Sequence, residues 1–115
     1  MRTENRCLLR ILAGEGDKHD GRPLYEWIVA QAHTQQLAGA TVYRGLMGFG
    51  AHTRVIHTFK IERLAEDLPI AVELIDTRDK LEEFLTFIEH HVSSPLLATL
   101  QPIELRIVQG RTKSQ

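Results

Sequence analysis

The sequence predicts a single α+β domain in which an antiparallel sheet carries two helices on one face. Its 115 residues are close to the commonest size for one domain. Two segments have apolar residues at helical spacing, and strand-like segments precede, separate and follow them. We therefore expect a ferredoxin-like βαββαβ sandwich with an extra C-terminal strand, spanning residues 1–115 with a core over about residues 7–109.

The first strand and the first helix are separated by a glycine-rich loop. Cys7–Ala13 is a short apolar run that stops at a glycine, which favours a strand over a helix. Gly14–Pro23 contains three glycines, two aspartates and a proline, so we interpret it as a loop. A helix is expected over about Pro23–Leu37, with proline in its first turn and Gly39 closing it.

Three strand-like segments follow this helix. Ala40–Arg44 is rich in β-branched and aromatic residues, and Gly45–Gly50 interrupts it. His57–Leu64 alternates apolar and polar residues, as a half-buried strand does. Ile70–Ile75 follows a turn and is predicted to be another strand.

The second helix has the clearest amphipathic pattern in the chain. Asp76 or Thr77 is expected to be its N-cap, and Ser93-Ser94-Pro95 to end it. Its apolar positions recur at helical spacing: Leu81, Phe84, Leu85, Ile88 and Val92.

Two short strands are predicted at the C-terminus. Leu96–Leu100 and Ile103–Val108 are apolar runs, and Gln101-Pro102 is interpreted as a break between them. Because the helices cover one sheet face, the other face should carry charged residues among apolar ones. The candidates, depending on register, are Arg10, Glu73, Glu104 and Arg106. We expect another subunit to cover this face.

The composition excludes several classes of protein. The formal net charge of −1 lacks the basic surplus that nucleic-acid binding needs. No apolar run approaches the roughly 20 residues that span a bilayer, and no signal peptide is recognisable, so a cytoplasmic location without direct membrane insertion is expected. The single cysteine, Cys7, offers no intrachain disulfide.

The strongest local signal is the segment Arg44–Arg54. Three glycines in six residues directly follow a strand, and glycines allow backbone N–H groups to approach a ligand closely. Cationic side chains flank them and could hold phosphate oxygens. The alternative is a glycine-rich bend with solvated arginines. The predicted binding residues here are Arg44, Gly45, Gly48, Gly50, His52 and Arg54.

Other candidate sites are weaker. The loop Gly14–Arg22 mixes carboxylates with Lys18 but lacks the ligand alternation of a calcium loop, so an ordinary solvated loop is favoured. His52 and His57 are five residues apart and form no recognisable metal motif, although they leave a small metal-binding protein as an alternative. No nucleophile has a base beside it, so we expect no enzyme and no cofactor.

The sequence resembles an uncharacterised bacterial and archaeal family of PII-like proteins. The resemblance covers about Leu8–Val108 and rests on "LLRILAGEGDKHDGRPLYEWIV", "GATVYRGLMGFG" and "HTFKIERLAEDLPIAVELID". It implies a ferredoxin-like fold, a trimer, nucleotide binding in clefts between subunits, and a loop over Ala51–Ile56 that engages a regulated partner. Family genes often lie beside fluoride-exporter genes, which implies a link to ion export.

The sequence departs from PII proteins at two places. Their Gly-x-Gly-Lys phosphate turn is replaced by residues 93–98, which contain neither glycine nor lysine, and Ala51–Ile56 has no tyrosine. Because cationic side chains flank the glycine turn, our first hypothesis is a non-enzymatic, trimeric PII-like sensor that binds an anionic small molecule, a nucleotide, with the loop from Gly14 to Lys18 completing the cleft. The alternatives are a ligand-free oligomeric module, or an accessory subunit of a membrane ion transporter.

Overall fold

The computed structural model describes residues 1–49 and 67–111. The described residues form six strands and two helices. In chain order these are β1 Arg2–Gly14, β2 Lys18–His19, β3 Arg22–Pro23, α1 Leu24–Thr34, β4 Gly39–Arg44, β5 Pro69–Asp76, α2 Arg78–His91 and β6 Leu97–Ile107.

Four of the strands form one antiparallel sheet in the order β4-β5-β1-β6. β1 is central and pairs with β5 through Cys7–Gly14 and with β6 through Arg2–Leu12. β4 pairs with β5 from Gly39 opposite Ile75 to Arg44 opposite Ile70. This is the predicted ferredoxin-like arrangement, and the predicted fold class is confirmed.

The core lies between the sheet and the two helices. Alternate residues of each strand point to the same face, and one face of β1 and β5 is apolar and buried. The fully buried side chains come from β1, β5 and both helices: Leu9, Ile11, Leu24, Ile28, Ile70, Val72, Leu74, Leu81 and Phe84.

The opposite sheet face, here called the open face, carries an ion pair in its centre. Arg10 lies opposite Glu73, and Arg10 Nε donates to Glu73 Oε2 at 3.0 Å. Beside this pair runs an apolar row across the four strands: Tyr43, Ala71, Leu12 and Leu97. The predicted mixed face is therefore present, but Glu104 and Arg106 lie on the other side of the sheet, because they pair with Asn5 and Thr3.

The C-terminal segment differs from the prediction. Leu97–Ile107 is one strand that continues through Pro102, so the predicted break and extra strand are wrong for the described residues. β6 pairs with β1 alone among the described strands. Proline is tolerated on an edge strand, where its missing N–H breaks no ladder bond.

The loop predicted over Gly14–Pro23 contains a two-stranded hairpin. Lys18 pairs with Pro23 and His19 with Arg22, and the two turn residues Asp20 and Gly21 have φ of 50° and 79°. Asp-Gly is a strong signal for a two-residue hairpin turn, because both positions need positive φ. The signal was present in the sequence and was missed.

The first helix ends earlier than predicted. It stops at Thr34, and Gln36 takes a left-handed φ of 62°. Gly39 begins β4 and does not close the helix. The strand predicted at His57–Leu64 lies outside the described residues.

The buried carboxylate of Asp76 contacts both the segment that links α1 to β4 and the N-cap residue of α2. Asp76, at the end of β5, is 6% exposed and accepts hydrogen bonds from the backbone N–H of Ala38 at 2.9 Å and of Thr77 at 2.6 Å. Lys80 Nζ lies 3.5 Å from the same carboxylate. Thr77 is the N-cap of α2, since its Oγ1 accepts from the backbone N–H of Lys80. Asp76 therefore fixes where α2 begins relative to β4.

Replacing Asp76 by alanine should lower the free energy of unfolding by about 1–3 kcal/mol, because two part-buried backbone N–H groups lose their acceptor. Asp79→Ala is the matched control. Asp79 is exposed in the first turn of the same helix, so its loss should cost only about 0.3–1 kcal/mol. Urea unfolding of both variants measures the difference. An equal decrease in the free energy of unfolding for the two variants would contradict the structural role of Asp76.

Candidate functional site

The predicted glycine turn starts where β4 ends, beside the start of β5. The backbone N–H of Gly45 donates to Pro69 O at 2.7 Å, so the chain leaves β4 next to the point where β5 begins. A Cβ at Gly45 would lie 2.7 Å from Pro69 Cγ, and one at Gly48 would lie 3.3 Å from it. The glycines therefore let this turn pack closely on the proline ring.

The predicted ligand-binding arginine already has an anionic partner. Arg44 Nη2 lies 2.5 Å from Glu15 Oε2. The Arg44 side chain is 60% exposed and the Glu15 side chain 24%. A pair this exposed to water contributes at most about 1 kcal/mol. The guanidinium is held in place but remains open to solvent.

The turn Gly14–Asp17 holds carboxylate oxygens on its backbone N–H groups. Gly14 N–H donates to Asp17 Oδ2 at 2.8 Å, and Gly16 N–H donates to Asp67 Oδ1 at 3.0 Å. Glu15 N–H donates to Leu68 O at 2.8 Å. These three successive N–H groups are therefore satisfied by three different acceptors within the chain.

The structure brings together some of the predicted site residues. Arg44 and Gly45 lie beside the Gly14–Asp17 turn through the contacts above, and Gly48 lies next to Pro69. Lys18 lies on the exposed hairpin, and no ion pair or hydrogen bond of its ammonium group falls within the described residues. Gly50, His52 and Arg54, together with His57, lie outside the described residues.

Three apolar side chains follow Arg44 and are open to solvent. Leu46 is 94% exposed, Met47 61% and Phe49 67%. Exposed apolar groups clustered in sequence are typical of a surface that meets another protein. The three side chains lie within the segment predicted to bind a phosphate but are not among its predicted binding residues.

A groove of about 690 Å³ lies between α2 and β6. Its apolar lining includes Leu85, Val92, Leu96 and Ala98, and its rim carries Glu82 and Glu89. Among the described residues that line it, none is a lysine or an arginine. The groove includes the segment where the chain departs from PII proteins, and its acidic rim disfavours an anionic ligand.

An aromatic cluster joins the hairpin to both helices. His19 is tilted against Trp27 with ring centroids 4.1 Å apart, Trp27 lies 5.9 Å from Phe87, and Phe87 lies 4.1 Å from His91. Trp27 is 7% exposed and belongs to the core. The cluster fixes the hairpin, and with it the C-terminal side of the Gly14–Asp17 turn, against the helices.

Within residues 1–49 and 67–111 no group of three or more histidine, cysteine, aspartate or glutamate side chains could hold a metal ion. In the same part of the chain no helix has the length and apolar character needed to cross a membrane.

Solved structures with the same fold are PII-like proteins. One, from Thermus thermophilus, is assigned to the PII-like signalling proteins; it superposes with a TM-score of 0.63 at 16% identity, covering 91% of this chain and 93% of that one. Another is CPII from Thiomonas intermedia K12, bound to ADP, AMP and acetate, with a TM-score of 0.57 at 18% identity over 93% of this chain and 94% of that one. At these identities the likeness establishes the fold, which is PII-like.

Sequence comparison shows which family this chain belongs to. Residues 6–105 match the model of DUF190, described as uncharacterized ACR, COG1993, and the chain belongs to this family. A UPF0166 protein of Aquifex aeolicus (strain VF5) is 35% identical over 105 residues, 91% of this chain and 97% of that protein. Another UPF0166 protein, from Methanocaldococcus jannaschii, is 35% identical over 68% of this chain and 70% of its own length. The resemblance seen in the sequence is confirmed.

Substituting Gly45 by alanine should lower the free energy of unfolding by about 1–3 kcal/mol, because its Cβ would collide with the Pro69 ring. Gly39→Ala is the control, since Gly39 is the first residue of β4 and Gly45 directly follows its last residue. The nearest atom to its Cβ is Ile75 Cβ at 4.0 Å, an ordinary contact. Thermal and urea unfolding compare the two variants, and a neutral Gly45→Ala would contradict the close packing at this turn.

Proposed function

We propose that this protein is a non-enzymatic regulatory protein that binds an anionic small molecule, a nucleotide, and acts on a protein partner. The observation that carries the proposal is the position of Arg44. Its guanidinium is solvent-open, lies at a glycine turn, and is held by a single half-exposed ion pair among the described residues. A PII-like neighbour is described as bound to ADP and AMP.

Arg44 has the chemistry to hold a phosphate. Its planar guanidinium can donate two parallel hydrogen bonds to phosphate oxygens. Of the predicted glycines, Gly48 and Gly50 would add backbone N–H groups, whereas the N–H of Gly45 is bound to Pro69 O and this glycine would only shape the turn. The side chains of His52 and Arg54 would add cationic groups. Gly14 and Lys18 would complete the cleft from the same or a neighbouring subunit.

The open face supports a homo-oligomer, which we propose to be a trimer. Tyr43 is 53% exposed and Leu97 46%, and both lie in the apolar row across the sheet. The outer edges of β4 and β6 are unpaired among the described strands. A second subunit that covered this face would bury apolar area and the central Arg10–Glu73 pair together. Clefts between subunits would then flank the glycine turn.

The second candidate is a ligand-free interaction module, such as an accessory subunit of a membrane ion transporter. Two observations favour it: the exposed Leu46, Met47 and Phe49, and the N–H groups of the Gly14–Asp17 turn that are already satisfied within the chain. A role in metal binding through His52 and His57 gains no support from the described residues.

ADP should raise the melting temperature of the purified protein, because a ligand at 100 times its dissociation constant adds about 2.7 kcal/mol to the free energy of unfolding. Arg44→Ala and Arg54→Ala should each weaken ADP binding by about tenfold. Arg78→Ala is the control, since Arg78 lies on α2 and pairs with Glu82. Thermal shift and calorimetry measure the effect. Unchanged affinity in both variants would overturn the site, and no shift with any adenine or guanine nucleotide would favour the ligand-free module.

Leu97→Arg should dissociate the oligomer, because it would place a charge in the apolar row of the open face. Leu97 is already 46% exposed in the isolated subunit, so the variant subunit should still fold. Thr34→Arg, exposed at the end of α1 on the other side of the sheet, is the control and should remain trimeric. Light scattering after size exclusion gives the masses. A trimeric Leu97→Arg would show that this face is not the interface.

A further inference from the structure

We infer that the turn Gly14–Asp17 is an autoinhibitory latch: Glu15 occupies Arg44 when no ligand is bound, and an anionic ligand that takes Arg44 loosens the turn from residues 67–68. The competition for Arg44 rests on the proposed function. The latch itself rests on contacts within the chain.

The latch touches both ends of the connection from β4 to β5. On the β4 side, the Glu15 side chain binds Arg44. On the β5 side, Glu15 N–H binds Leu68 O at 2.8 Å and Gly16 N–H binds Asp67 Oδ1 at 3.0 Å. Two consecutive residues, Glu15 and Gly16, therefore contact both the end of β4 and the residues that precede β5.

Backbone hydrogen bonds hold the parts of the chain on either side of the latch in place. Gly45 N–H binds Pro69 O at 2.7 Å, so residues 45 and 69 stay together as an extension of the β4–β5 ladder. At the other end of the turn, Asp17 O accepts from the N–H of Leu24, which begins α1. The turn is thus anchored to a core helix on one side and reaches the connection on the other.

Glu15 and an anionic ligand compete for the same donors. The Glu15 carboxylate contacts Nη2 of Arg44, so a phosphate that binds this edge of the guanidinium would take the position that the carboxylate now holds. A carboxylate left beside a bound phosphate would also repel it. A half-exposed pair is weak in water, so a phosphate that binds Arg44 through two hydrogen bonds can displace Glu15.

Displacement of the Glu15 side chain should affect residues 67–68, because the backbone N–H of the same residue binds Leu68 O. A Cβ at Gly14 would lie 2.7 Å from Asp67 Oδ1 and 3.3 Å from Asp17 Oδ1. The Asp67 carboxylate therefore packs closely against the turn, where it also accepts the Gly16 hydrogen bond. A shift of Glu15 toward solvent should therefore weaken the Gly16–Asp67 bond as well.

The first test measures the competition, with ADP as the probe. Glu15→Gln should tighten ADP binding by about three- to fivefold, because Arg44 no longer has to leave a charged partner. Glu104→Gln is the matched control, since Glu104 forms an exposed pair with Arg106 at 2.8 Å away from the turn. Unchanged or weaker ADP binding by Glu15→Gln, with wild-type binding intact, would overturn the competition.

The second test measures the latch without ligand, by amide exchange in NMR spectra. Asp67→Asn and Glu15→Gln should each raise the exchange rate of the Gly16 amide by about fivefold or more, and Asp79→Asn should leave it unchanged. In the wild type, saturating ADP should also raise this rate. Rates that stay at the wild-type value in both variants would overturn the latch.

The two tests separate this inference from the proposed function. If no nucleotide binds but Glu15→Gln still frees the Gly16 amide, the latch stands and the proposed ligand is wrong. If ADP binds at Arg44 and the Gly16 amide becomes more protected, the proposed function stands and the latch is wrong.

Discussion

The antiparallel register of β1 against β5 is the constraint on which the rest of the structure depends. It places Arg10 opposite Glu73 and Gly14 opposite Pro69. The first pairing gives the open face its central ion pair, and the second brings the Gly14–Asp17 turn beside the connection from β4. A slip of one residue would exchange the two faces of β1 and bury Arg10 in the core. The register of β1 against β5 therefore determines both which side chains form the core and which residues lie together at the candidate site.

Carboxylates in this protein have two different roles. Asp76 is buried, accepts two backbone hydrogen bonds and lies near Lys80, so it stabilises the fold. Glu15 and Asp67 lie nearer the surface and contact an arginine and a glycine N–H that could serve a ligand. Bonds of the first kind are costly to break, whereas a solvated pair exchanges partners cheaply. The Glu15–Arg44 contact is therefore easier to exchange than the contacts of Asp76.

The sequence predicted most of the fold because its strands and α2 have regular apolar patterns. It failed at Pro102, where the edge position removes the usual cost of proline, and at Asp20-Gly21, where a hairpin signal was overlooked. It predicted a binding site at Arg44 and the glycine turn but did not predict the contacts that these residues make within the chain. Asp67 is 51 residues from Gly16, and no local pattern predicts that contact. Likewise, the Glu15–Arg44 pair depends on the sheet register, which periodicity alone does not specify.

The most direct measurement of the central claim is a titration of the isotope-labelled protein with ADP, followed through its backbone amide signals and the Nε–H signal of Arg44. The account predicts that the largest changes fall on Gly14–Asp17 and on Arg44–Gly48, with the Arg44 signal moving as its partner changes from carboxylate to phosphate. Changes confined to the groove between α2 and β6, or no changes at all, would contradict it.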